Sequence, residues 1–295
     1  MGSSIALVGP GAIGSTVAAL LHAAGHRVTV CGHTPRDRIE VRRDDGETIV
    51  VPGPVLTDFD DVDGRADVVL LAVKDTHNEQ AAGWLHRLCD EHTVVCVLQN
   101  GVEQVERVGR FCPSAHIVPA VVWFSAETQP SGWVRLRTEV RMVLPEGEDA
   151  DILAAVLRPA GMTVELDPDF CTEAWRKLLV NALAGFMVLA GRRSGMFRRA
   201  DVAALARRYL TECLAVARAE GAHLPDTVID EMTEMFAAAP EDLTTSMLSD
   251  AEAHRRLEWD IRNGVIVRKA AEHGLATPVG DVLVPLLAAA SDGPG

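Results

Sequence analysis

The opening of the chain limits its fold more than any other stretch. Ile5-Ala6-Leu7-Val8 is an apolar run of strand length, and Val17, Leu20 and Leu21 follow at helical spacing. Between them lies Gly9-Pro10-Gly11-Ala12-Ile13-Gly14, with glycines in the G-x-G-x-x-G spacing. Gly9 suits a tight turn, Gly11 lets a ligand approach the backbone, and Gly14 lets helix and strand pack closely. Ala12 and Ile13 open the helix, where unsatisfied amides and the positive dipole end favour a phosphate. Glycine turns are common; one set after a strand and before a helix predicts a dinucleotide-binding βαβ unit rather than a plain turn.

The first half continues the alternation. Arg27–Cys31 reads as a second strand, and 67–73 and 93–98 are fully apolar, as strands covered on both faces are. Residues 115–144 alternate and carry Pro130-Ser131-Gly132, which predicts further strands, some antiparallel. A helix over 149–157 and a strand over 162–166 should close the sheet. From Pro168 the strand signal stops. Helices are expected at 170–189, 202–220, 227–238 and 249–273, broken at Gly191, Gly221 and Pro240. The fold class is therefore α/β. A Rossmann-type dinucleotide-binding domain (1–167) precedes an all-helical domain (168–295), a layout that suits a substrate between the two.

The second strand ends Val30-Cys31-Gly32-His33-Thr34, without the carboxylate that bonds a ribose 2′-hydroxyl in NAD-specific sites. The following loop offers Arg36 and Arg38, suited to a 2′-phosphate, so NADP(H) is the expected cofactor. Asp37 between them keeps NAD open, and plain solvation of the two arginines is the alternative.

Of 28 basic residues only Lys74, Lys177 and Lys269 are lysines. An ammonium can release a proton near neutral pH once desolvated, whereas a guanidinium cannot. Lys74 ends an apolar strand at the carboxyl edge, where ligands bind in such sheets. Lys177, Asn181 and Gly185 fall at i, i+4 and i+8 and share one face of their helix, either as a polar pocket or as an exposed stripe. Gln99-Asn100-Gly101 again follows a strand, as a ligand edge or a turn initiator.

Taken in order, the glycine turn, Lys74, Gln99-Asn100-Gly101, Trp175-x-Lys177-x-x-x-Asn181, Ser246-Met247 and Glu258-x-x-x-x-Asn263-Gly264 resemble the ketopantoate reductase (2-dehydropantoate 2-reductase) family. The resemblance runs from Ile5 to about Pro278. It implies an NADPH-dependent reductase of a 2-keto acid, with ketopantoate the first substrate to test and a place in pantothenate biosynthesis. Lys177 would be the general acid, with Glu258 positioning it and approaching the cofactor ribose. Asn100 would lie between nicotinamide and substrate, Asn181 and Ser246 would hold the substrate's polar groups, and Lys74 would serve the cofactor. Two features need explanation. Ser246 and Glu258 are out of phase on a straight helix, and Glu258 could be merely an i,i+4 partner of Arg262 on a solvated face. The family usually carries a second asparagine where this chain has Gly185, which predicts a lost substrate bond and an enlarged pocket. The competing readings are a related hydroxyacid or opine-type dehydrogenase and a non-catalytic NADP(H)-binding protein.

Bulk properties narrow the partners. A net charge of −14 disfavours nucleic acid and anionic membranes. Six cysteines without C-x-x-C spacing read as reduced thiols, and the ten histidines show no paired metal-ligand spacing, so no metal is expected. No stretch reads as a signal peptide or membrane span, which makes a cytoplasmic enzyme the expectation. Apolar faces on the helical half would suit a homodimer.

Overall fold

A computed structural model describes residues 3–293. The described residues divide into two compact units, one formed by 3–99 with Glu103–Phe170, the other by Asn100–Val102 with 171–293. The short segment Asn100–Val102 thus groups with the helical unit although it is embedded in the α/β half of the sequence.

In the first unit, β1 (Ile5–Val8) leads through the glycine turn into α1 (Ala12–Ala23) and then β2 (Val28–Cys31). Next come β3 (Arg38–Arg43), β4 (Thr48–Pro52), β5 (Val68–Leu71), α2 (Asn78–Leu88), β6 (Val94–Val97), α3 (Gln104–Gly109) and β7 (His116–Pro119). Five of these strands form a parallel sheet in the order β2-β1-β5-β6-β7. Alternation along β1 sends Ile5 and Leu7 into one apolar cluster and Ala6 and Val8 into another, so the sheet has a core on each face. Each fully buried leucine here, Leu7 and Leu70 among them, contributes roughly 1.5–3 kcal/mol over its exposed state.

The chain continues through β8 (Val121–Trp123), β9 (Ala126–Thr128), β10 (Val134–Leu136), β11 (Arg141–Pro145), α4 (Glu148–Leu157) and β12 (Thr163–Asp167). The turn at 130–132 joins β9 and β10 as an antiparallel pair, with the Gly132 amide donating to Gln129 O at 2.8 Å. These strands do not all extend the main sheet. β9 and β10 join β3 and β4 in a four-stranded sheet, while β12, β11 and β8 form a separate three-stranded one. The strand expected to close the main sheet therefore lies elsewhere. β11, α4 and β12 make their own βαβ unit, whose crossover helix pairs β12 parallel to β11. Arg38, expected in a loop, begins β3.

The second unit is helical: α5 (Phe170–Ala190), α6 (Ala200–Ala219), α7 (Val228–Ala238), α8 (Ser246–Glu252), α9 (Val265–Glu272) and α10 (Gly280–Asp292). Its core gathers Trp175, Leu179, Phe197, Tyr209, Leu210 and Val265. The single helix expected over 249–273 is three pieces. α8 ends by Ala253, His254 takes a left-handed φ of 51°, and a π-helical turn at Asp260–Gly264 precedes α9. α10 contains Pro285 and lies beyond the predicted helices.

Candidate functional site

The first unit carries the glycine turn, and the three glycines have three different reasons to be there. Gly9 adopts a φ of +98°, and a Cβ there would lie 2.6 Å from the Val73 backbone nitrogen. A Cβ on Gly14 would run into the Gly9 carbonyl oxygen, so Gly14 is required for close helix–strand packing. A Cβ on Gly11 would meet nothing within 4 Å, so the space in front of the turn is open. The first-turn amides of α1, those of Ala12 and Ile13 included, have no acceptor within the helix, and no acidic side chain stands there. Open space, unopposed amides and the positive end of a twelve-residue helix fit a dinucleotide pyrophosphate.

The turn is braced by side chains. Ser15 Oγ donates to Pro10 O at 3.0 Å, and Arg36 Nη1 donates to the same oxygen at 3.3 Å. Arg36 therefore stands beside the turn, while Arg38 is exposed on β3 and pairs with Glu40 at 3.7 Å. Beyond β5, partly exposed Lys74 precedes a 3-10 turn at Asp75–His77. Gln99 Nε2 donates to Val73 O at 3.0 Å and to Asn78 Oδ1 at 2.6 Å, tying the carboxyl ends of β5 and β6 together. Buried Gln104 adds a bond to Gln99 O at 3.2 Å. Sequence reasoning singled out neither Asn78 nor Gln104; both lie three to five residues past a ligand-edge residue, and only their burial marks them.

In the second unit a polar constellation is assembled from four stretches of chain. Gly101, at a φ of +105°, has its α-carbon against Ile261, where a Cβ would lie 3.3 Å from the isoleucine Cβ. The Asn100 side chain accepts a bond from Asn181 Nδ2 at 3.1 Å. One turn before Asn181 on α5 is Lys177, whose ammonium burial pulls down to about 8, helped by the positive charge of Arg262. Ser246 is exposed at the start of α8, after Thr245 caps that helix by accepting the Leu248 amide. Arg262 Nη2 donates to Glu258 Oε2 at 2.8 Å and to Ser246 Oγ at 3.1 Å.

These bonds resolve the phase difficulty. Ser246 and Glu258 do not share a helix, because α8 ends at Glu252 and the left-handed His254 breaks the helical run between them, and Arg262 bridges the two. Glu258 is indeed the i,i+4 partner of Arg262, but the pair is buried, at 6% and 3% exposure, not on a solvated face. Arg262 itself had no local signal; its burial comes from the π-turn, which no spacing announces.

Gly185 requires a correction. A Cβ there would lie 3.0 Å from Leu287 Cδ1 and 3.1–3.2 Å from the amide of Asn263. The missing side chain is therefore not an enlarged pocket. Leu287 of α10 and the fully buried Asn263 occupy that space, and Asn263 Nδ2 donates to Ala182 O and Tyr209 Oη, both at 2.9 Å. The six cysteines are all free thiols, with only Cys89 and Cys171 partly exposed. Among the described residues no cluster of three or more side chains could hold a metal, and no helix is long and apolar enough to cross a membrane.

An α/β unit with this turn and a helical unit with a partly buried lysine beside two amides are the parts expected of an oxidoreductase of the nicotinamide-dinucleotide class. Profiles of two protein families match almost the whole chain: "Ketopantoate reductase PanE/ApbA" over residues 5–149 and "Ketopantoate reductase PanE/ApbA C terminal" over residues 169–291. The chain belongs to the ketopantoate reductase family. It is 68% identical over 295 residues to a 2-dehydropantoate 2-reductase of Mycobacterium tuberculosis, with the whole of both chains covered. A protein of the same name from Caulobacter vibrioides is 36% identical over 290 residues, with 98% of this chain and 99% of the other covered. Among solved structures, a PanE/ApbA family ketopantoate reductase from Ralstonia eutropha superposes with a TM-score of 0.88 at 28% identity, covering 98% of each chain.

Proposed function

We propose that this chain reduces 2-dehydropantoate (ketopantoate) to pantoate with NADPH, using Lys177 as the proton donor. The observation that carries the reading is Lys177 itself: a partly buried ammonium brought down to about 8, on the helix that also presents Asn181. The name shared by the 68% and 36% identical relatives supplies the substrate.

Reducing a ketone builds negative charge on its oxygen, and a proton must arrive there. An ammonium near 8 is a stronger acid than free lysine, yet about nine in ten molecules still hold the proton at pH 7. It therefore stabilises the developing oxyanion first and protonates it second. Asn100 and Asn181, already hydrogen-bonded to each other, orient the substrate's carbonyl and hydroxyl groups, and Ser246 takes its carboxylate end. Glu258 supplies the negative charge that lets two cations coexist at the site. On the nucleotide side the amides of Ala12 and Ile13 take the pyrophosphate, which approaches over the open α-carbon of Gly11, Gly9 and Gly14 shape the turn, Arg36 takes a 2′-phosphate, and Lys74 adds positive charge. When bound, the nicotinamide supplies the hydride.

The test is NADPH oxidation on adding ketopantoate, with NADH in parallel. The wild type should turn over and prefer NADPH, and Lys177→Ala should lose roughly a thousandfold in kcat, within the span of a deleted general acid. Absence of turnover in the wild type sinks the proposal.

A further inference from the structure

Arg262 is a poor choice if stability were its purpose. It is 3% exposed, and both of its hydrogen bonds use one nitrogen, Nη2, shared between Glu258 Oε2 and Ser246 Oγ. Its Nε is buried without a partner. An unmet buried donor is destabilising, and a buried ion pair of this kind often stabilises less than apolar packing of the same volume. The arginine needs another reason.

Ser246 offers one. It is the exposed member of the trio, and its hydroxyl oxygen accepts the guanidinium N–H at 3.1 Å. A hydroxyl whose oxygen is engaged by a cation keeps its own proton for a different acceptor, and that proton is made more acidic by the charge. The result is a donor backed by a buried cation, which suits a carboxylate and suits an uncharged oxygen far less. In a chain of net charge −14 an anionic substrate is repelled at a distance, so local positive charge has to select it.

We propose that Arg262 is a positioning residue that, acting through Ser246, makes the site select a carboxylate-bearing substrate over its uncharged counterpart. This rests on the function proposed above, which puts the substrate's carboxylate at Ser246.

The test compares ketopantoate with its neutral lactone on the wild type, Arg262→Gln, Arg262→Lys and Ser246→Ala. In Arg262→Gln the KM for the acid should rise about 10- to 100-fold, the worth of a charge-assisted hydrogen bond, while that for the lactone moves by less than about threefold. Arg262→Lys should recover part of the preference. Should Arg262→Gln fail to fold because the buried Glu258–Arg262 ion pair is broken, Ser246→Ala keeps that ion pair and should lose the acid-over-lactone preference to a similar extent. An unchanged preference in both variants, or equal losses on acid and lactone, overturns the inference while leaving the reductase reading intact. A wild type inert on both compounds removes the reductase reading and the inference with it.

Discussion

The two units hold their functional groups in opposite ways. The glycine turn of the first is almost entirely backbone: three glycines within six residues, a strand before them and a helix after them. The polar constellation of the second is almost entirely side chain, gathered from residue 100, from α5, from the start of α8 and from the π-turn before α9. A backbone site can be written in a short local sequence, because φ angles and close approaches depend on neighbours. A side-chain site depends on where distant segments meet. The first should therefore be brittle to single added atoms, and the second to changes of charge and proton affinity.

The largest effect expected from this contrast is at Gly9. Gly9→Ala places a side chain at a φ of +98° and 2.6 Å from the Val73 nitrogen. Strain and overpacking together should cost about 2–6 kcal/mol, seen as a lower melting temperature and loss of NADPH binding in titration calorimetry. Unchanged affinity would mean that the turn is not brittle. Next is Gly185→Asn, which restores the amide usual in the family. Its Cβ would press on Leu287 and Asn263, so it should destabilise by about 1–3 kcal/mol in denaturant unfolding instead of improving turnover. A stable, faster variant would show that the space can open.

The smallest effect is the pH dependence, and it separates the units most cleanly. As the proposed donor Lys177 has to be protonated, so reductive turnover should fall about tenfold per pH unit above about 8. NADPH affinity, which in the proposed site rests on amides that do not titrate there, should stay flat over the same range. The sign for stability is the reverse. With its folded value below that of free lysine, protonated Lys177 costs stability in full below about 8, and the cost fades as pH rises toward the ordinary lysine value. A turnover profile that is flat to pH 10 would remove Lys177 as the donor.

Parts of the molecule that escaped sequence reading did so for separate reasons. The hairpin of β3 and β4 hides in a charge-dense stretch. Its buried residues Ile39, Val41, Ile49 and Val51 do alternate, and Asp45-Gly46 turns between them at a φ of +96°, so a period-two count would have found it. The break at His254 had no such signal, since neither glycine nor proline marks it. The helical pattern running through that point was real on both sides and wrong across it.

By itself the sequence determined the parallel sheet, the glycine turn, the switch to helices after residue 168 and the choice of Lys177 and Asn181 as residues to watch. Each of these rests on periodicity, spacing or the rarity of a residue type, which are properties of neighbours in the chain. Only the tertiary structure decided that Glu258 is buried with Arg262, that Ser246 is the third member of that group, and that Gly185 faces Leu287 and Asn263. Burial and charge proximity are set by which segments fold against each other, and a buried ion pair and a solvated one have the same four-residue spacing.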